Sequence, residues 1–264
     1  MRIALGVEYD GANFNGWQIQ AQGQGYSVQG RVEQALAKVA NHEVRTFCAG
    51  RTDSGVHATG QIIHFDSEAV RKARGWVLGA NAHLPDDVAV IWAKPVSDAF
   101  HARFSAQRRR YRYVIYSRPV RPTFLARRVT WEYRTLDIER MQAAASYLLG
   151  EHDFSSFRAY GCQAKSPVRT VHELKLSRSG ERGEFIMLDI EANAFLHHMV
   201  RNIVGVLSAI GAGERPVEWA REVLEYRDRK LGGVTAPPYG LYLVGVEYPE
   251  EFGIPYLSPP QMVW

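Results

Sequence analysis

The sequence predicts an α+β protein built in two lobes, and three observations support this. Strict apolar alternation marks strands along the whole chain. Segments with helical apolar spacing stand between them, in hairpin-like neighbourhoods and without the regular strand–helix–strand rhythm of a doubly wound parallel sheet. No fixed-period repeat and no low-complexity linker interrupts the 264 residues. We place the lobes at 1–105 and 106–264.

The elements follow in order. Ile3, Leu5, Val7 and Tyr9 alternate as a half-buried strand, and a loop rich in Gly and Asn follows, "GANFNGWQIQAQ". Val28, Val32, Leu36 and Val39 recur at helical spacing behind Ser27, a favourable N-cap. "VRTFCAG" and "GQIIHFD" read as strands on either side of a short loop; residues 70–82 read as a helix and "DDVAVIWAKPV" as a strand. In "RRRYRYVIYS" alternation puts Arg109, Tyr111, Tyr113 and Ile115 on one face. Arg108, Arg110, Arg112 and Val114 fall on the other. "TLDIERMQAAASYLLG" predicts a helix stopped at Gly150. Strands near 168–178 and 183–193, helices near 195–212 and 216–226, and the strand "GLYLVGVEY" complete the order.

Composition narrows the function. A hydrophobic fraction of 46% with 23% charged residues is that of a globular protein. The N-terminus lacks a secretory layout, and the longest apolar tract, "NIVGVLSAIGAG", is too short to span a bilayer. Two cysteines, Cys48 and Cys162, form neither a disulfide framework nor a metal-type pair, so a reduced cytoplasmic setting is expected. Net charge is only +4, yet Arg103 to Arg134 holds ten arginines and one acid, Glu132. The guanidinium fork matches phosphate oxygens and stacks on bases, which predicts a polyanionic partner such as nucleic acid.

The loop "GRTDSGVHATGQ" carries the strongest chemical signal. Gly50 to Gly55 has the outer spacing of a phosphate-binding loop, but Val56 and His57 stand where Lys and Ser or Thr are needed. Cys48, His57, His64, Cys162, His197 and His198 lack paired ligand spacing, so no metal is expected. Asp53 remains. An acid flanked by Thr52 and Ser54 commonly only caps its own turn. Against that stands the apolar helix "FLHHMVRNIVGVL", where Arg201 sits among Phe195, Met199, Val200, Ile203 and Val204. A buried arginine is costly without an anion, so a carboxylate should meet it, although spacing does not identify Asp53 as that partner. An acid paired with arginine stays ionised, fit for a nucleophile or base. One carboxylate beside an aromatic face and an arginine field suits chemistry on a stacked base.

Five ordered stretches resemble one known family: "YDGANFNGWQIQ", "AGRTDSGVHATGQ", "RRRYRYVIY", "FLHHMVRNIVG" and "PPYGLYLVGVEY". Over nearly its whole length the chain resembles the tRNA pseudouridine synthase A family. The resemblance implies isomerisation of uridine to pseudouridine at positions 38, 39 and 40 of the tRNA anticodon stem-loop. It implies Asp53 as nucleophile, Arg201 as its ion-pair partner, Arg51 as the residue that helps turn the base out, and Tyr111 against the target base. Arg110 and Arg112 join Tyr111 as expected substrate contacts. The implied fold is a two-lobed, mixed and mostly antiparallel sheet with flanking helices. In it the first lobe carries the Asp loop and the second completes the cleft. The family implies a cytoplasmic homodimer needing no cofactor and no metal. Whether Asp53 attacks C1′, adds at C6 or removes a sugar proton stays open.

Two other classes compete. A non-catalytic RNA-binding module would use the arginine–tyrosine strand as a stacking platform without needing Asp53 or Arg201. A nucleotide-processing hydrolase should show a second acid or a metal set. His57, His64, His197 and His198 are expected to be packed or surface residues, Trp17 to support its loop, and Cys48 to be a small core residue.

Overall fold

The computed structural model describes residues 1–20 and 26–256. The end of the loop after the first strand, at 21–25, lies outside the described residues. The chain divides into two compact units, 1–107 with 242–264, and 108–241.

In the first unit β1 (Arg2–Tyr9) is central. It pairs antiparallel with β3 (His57–Asp66), Leu5 opposite Ile63, and with β4 (Val88–Val96), Leu5 opposite Ala93. The short β2 (Phe47–Cys48) adds to β3 with Phe47 opposite His64. Helix α1 (Val28–Ala40) buries Val28, Val32, Ala35, Leu36 and Ala40; the Ser27 side chain accepts the Gly30 amide, and Asn41 ends the helix in the left-handed region. Helix α2 (Ala73–Asn81) packs on β4 and α1. β1 is not half-buried as expected: Ala4 and Gly6 are buried as well. A Cβ on Gly6 would stand 2.2 Å from the Trp92 indole, so that side chain covers the second face.

The second unit begins with β5 (Arg108–Ser117), joined in parallel by β6 (Thr130–Glu132). Helix α3 (Ile138–Ser146) leads to β7 (Gly150–Asp153), then β8 (Val168–Ser179) and β9 (Phe185–Ala192). The antiparallel order is β5–β9–β8–β7. Helices α4 (Met199–Gly211) and α5 (Trp219–Tyr226) complete the unit. α4 starts four residues later than expected, because His198 adopts φ +63° and breaks the helical path. Neither β6 nor β7 is in the expected order of elements.

The last strand, β10 (Leu241–Glu247), pairs parallel with β3, Tyr242 opposite His57 and Leu243 opposite Ala58. A Cβ on Gly60 would come 2.6 Å from the Val244 carbonyl, so the two backbones need glycine there. This pairing places residues from Tyr242 onward with the first unit, where the sequence reading carries the second lobe to 264. Among the described residues no helix is long and apolar enough to cross a membrane.

Candidate active site

In the first unit, the loop between β2 and β3 presents Asp53 half-buried and Arg51 exposed. Its turn is closed by the Val56 amide on the Asp53 carbonyl at 3.1 Å, with Gly55 at φ +79°. Buried partners fix the loop from behind. The Trp17 amide donates to the Thr52 carbonyl at 3.0 Å, and the Tyr9 and Thr52 hydroxyls meet at 2.8 Å. Gln61, wholly buried, donates from Nε2 to the Gly50 carbonyl at 2.7 Å. Ser54 Oγ donates to the Phe14 carbonyl at 3.1 Å. The backbone that carries the acid is therefore anchored at Gly50, Thr52 and Ser54, and the expected supporting role of Trp17 matches its burial.

His57 and His64 of this unit are packed. His57 lies on the Tyr242 ring at 4.6 Å, and its Nδ1 is 3.0 Å from both the Gly11 amide and Asp10 Oδ1. The Gly11 amide donates to Nδ1, and the Ala12 amide holds Asp10 Oδ1 beside it. His64 Nδ1 accepts the Ala102 amide at 3.1 Å, and burial, helped by the nearby His101 and Arg2, pushes its pKa down to about 4. Burial pushes the Cys48 thiol up to about 12, which leaves it unreactive.

In the second unit, Tyr111 and Tyr113 face the same side of β5 and are both buried. The Tyr111 ring meets Phe195 edge to face at 5.0 Å. The Tyr113 hydroxyl reaches Thr130 Oγ1 at 2.6 Å and donates to the Pro237 carbonyl at 2.8 Å; burial raises its pKa and keeps it protonated. The opposite face carries a row of cross-strand ion pairs. Arg112 grips Asp189 with two hydrogen bonds of 2.8 and 2.9 Å. Arg110 binds Glu191 and Glu173, and Arg108 binds Glu191 at 3.0 Å. A phosphate at Arg110 or Arg112 would have to compete with these carboxylates.

Helix α4 holds Arg201 half-buried, where the sequence predicts full burial. The segment 234–238 runs along the helix: a Cβ on Gly205 would come 1.7 Å from the Val234 carbonyl. Arg201 Nε donates to the Ala236 carbonyl at 2.8 Å. The next residue, Asn202, is buried and binds on two sides. Its Nδ2 donates to the Phe157 carbonyl at 2.7 Å, while Oδ1 accepts from Thr235 Oγ1 at 2.6 Å and Arg229 at 3.1 Å. His197 and His198 fall within the helix expected near 195–212 but precede α4, and their rings touch at 4.1 Å.

Arg51 and Asp53 thus share a loop of the first unit, while Tyr111, Arg110, Arg112 and Arg201 stand on the second. Sequence reasoning gives no role to Thr52, Gln61, Asn202, Arg229 or Thr235. A polar Gln61 inside "GQIIHFD" and a polar Asn202 among the apolar residues of α4 are the signals that could have found them.

A family model described as tRNA pseudouridine synthase matches residues 6–105 and 144–249. The chain belongs to the tRNA pseudouridine synthase family. Proteins named tRNA pseudouridine synthase A share its sequence closely. That of Pseudomonas aeruginosa is 60% identical across 98% of this chain and 90% of its own length. Those of Alcanivorax borkumensis and Nitrosococcus oceani are each 58% identical. The first spans 96% of this chain and 94% of its own; the second covers both in full. Membership in the tRNA pseudouridine synthases covers both the Asp53 loop and α4, while Tyr111 lies between the two matched stretches.

Proposed function

We propose that this chain isomerises uridine to pseudouridine at positions 38, 39 and 40 of the tRNA anticodon stem-loop, acting as a cytoplasmic homodimer. The observation that carries the reading is the Asp53 loop of a family member, anchored from behind by buried partners while its acid stays half-buried. The reaction is an isomerisation: the N1–C1′ bond of uridine breaks, a C5–C1′ bond forms, the C5 proton leaves and N1 gains one. No oxidant, metal-activated water or net hydrolysis enters that balance.

In this reading Asp53 is the nucleophile, Arg201 its counter-cation and Arg51 the exposed group that helps turn the base out. Tyr111 provides the aromatic surface for the base, and Arg110 and Arg112, on the opposite face of β5, hold that strand in place through their carboxylate partners. A fixed loop suits the chemistry, since a carboxylate held before substrate arrives needs no reorganisation as the bond breaks.

Incubation of the purified protein with unmodified tRNA transcript, followed by mapping of pseudouridine, tests the reading. Wild type should form pseudouridine at 38–40. Asp53→Asn should bind tRNA normally but lose turnover by about 10⁴-fold or more, as removal of a reacting group typically does. Wild-type-like product formation by Asp53→Asn would remove the carboxylate from the mechanism.

A further inference from the structure

The first unit carries a strip of arginines and aromatic rings that the proposed reaction does not use. Phe47, on β2, lies flat against the buried His64 at 5.1 Å and 19°, while Arg45 stands over its ring at 5.6 Å. His101 bridges the Phe47 ring at 5.5 Å and the Phe104 ring at 4.3 Å, and Arg103 stands 5.4 Å over Phe104. Phe104 is 75% exposed and Phe47 39%.

Phe104 is held out by a built turn. His101 Nδ1 accepts the amides of Arg103 and Phe104 at 3.1 and 3.3 Å, Ser105 Oγ accepts the His101 amide at 2.9 Å, and the Ser105 amide returns to the His101 carbonyl at 2.9 Å. An apolar ring displayed on an ordered turn points to a ligand with an aromatic face.

The charge around the rings identifies that ligand's class. Arg45 and Arg103 are exposed along the strip. The acids next to it are committed elsewhere. Glu33 takes the Thr46 amide and hydroxyl at 2.8 and 2.9 Å, and Asp66 is gripped by Arg2 through two bonds of 2.9 Å. Glu43 is the single acid of residues 42–51. Cations alternating with exposed aromatic rings fit a strand whose phosphates and bases alternate. β2 also runs directly into the Asp53 loop, so a strand on this strip would be continuous with the reacting region.

We propose that this strip binds unpaired nucleotides of the RNA substrate that flank the reacting one, their bases on Phe104 and Phe47 and their phosphates at Arg45 and Arg103. It rests on the reading of the chain as a tRNA-modifying enzyme and extends it to a second contact.

The test uses the full chain and an unmodified anticodon stem-loop transcript. Kd is measured over a salt series for wild type, Phe104→Ala, Phe104→Tyr and Arg45→Ala. Single-turnover pseudouridine formation at saturating RNA and sedimentation are measured beside it. Phe104→Ala should weaken Kd by about tenfold, the scale of one lost stacking contact, with the saturating rate kept and Phe104→Tyr restoring affinity. Arg45→Ala should lower the salt slope by about 0.7, as expected for one single-strand phosphate. Wild-type affinity in Phe104→Ala would overturn the proposal. So would a loss of affinity that accompanies a changed sedimentation state, which would make the strip a contact between copies. Wild type without RNA affinity would overturn it too. The two readings fail separately. Phe104-dependent RNA binding without product would sink the activity and support the strip; product formation with an RNA affinity indifferent to Phe104 would do the reverse.

Discussion

Arg201 and Ala236 hold each other at two points: Arg201 Nε donates to the Ala236 carbonyl at 2.8 Å, and the Ala236 amide donates to the Arg201 carbonyl at 3.1 Å. The orientation of the guanidinium is therefore tied to the segment 234–238, and that segment is tied to the buried Asn202 through Thr235.

Thr235→Val should loosen this tie without removing a charge. Valine keeps the shape, but Asn202 Oδ1 loses its 2.6 Å donor and Arg229 loses an acceptor at 2.8 Å. We expect a stability cost of about 1 kcal/mol in urea denaturation. The single-turnover rate should fall while tRNA affinity holds. An unchanged rate would separate Arg201 from the segment.

Gly11→Ala should disturb the Asp53 loop from a distance in sequence. The added Cβ would stand 1.9 Å from the Val56 carbonyl, a backbone atom that can yield only if the turn moves. A stability loss of roughly 2–3 kcal/mol is expected, with activity lost beyond what stability explains. A denaturation midpoint equal to wild type would show that the loop adapts freely.

Arg112→Ala should register mainly on folding. Its bidentate partner Asp189 would lose its cation on a partly buried strand face, at a cost of about 1 kcal/mol after allowance for solvent screening. The slope of tRNA affinity against salt should stay as in wild type, because the charge removed is already neutralised. A lowered slope would return Arg112 to the RNA contact.

His64 should make stability depend on acid pH. Above pH 6.5 the ring is neutral in both states. As pH falls, the unfolded ring takes a proton near 6.5 while the folded one resists to about 4, so stability is lost across that window. The loss should be on the order of 2–3 kcal/mol in denaturation midpoints measured from pH 7 to 4. His64→Asn offers an acceptor in place of Nδ1 and should flatten the profile. Parallel profiles would assign the acid loss to other groups.

Periodicity and capping made much of the fold legible. α1 follows its apolar spacing and its Ser27 cap, and β5 appears with the expected faces. β6 and β7 escaped because three and four residues are too few to show a period. The arginine run is legible as charge but not as pairing. Arg112 and Arg110 meet carboxylates 77 and 81 residues further along, and pairing across strands is invisible to a charge count along the chain. Asp53 stood out because it has no regular structure around it to explain it. The residues that anchor its loop did not, since Tyr9, Thr52 and Gln61 come together only when β1 and β3 pair.

The parallel pairing of β3 with β10 bears on how the protein is made. The second unit is one uninterrupted stretch, 108–241, and all of it leaves the ribosome before β10 does. The first unit begins the chain but waits for residues from Tyr242 onward to supply the neighbour of His57 and Ala58. During synthesis the strand that follows the Asp53 loop lacks this neighbour until β10 is made. Of the two units, the one whose translation starts earlier is therefore the one completed later.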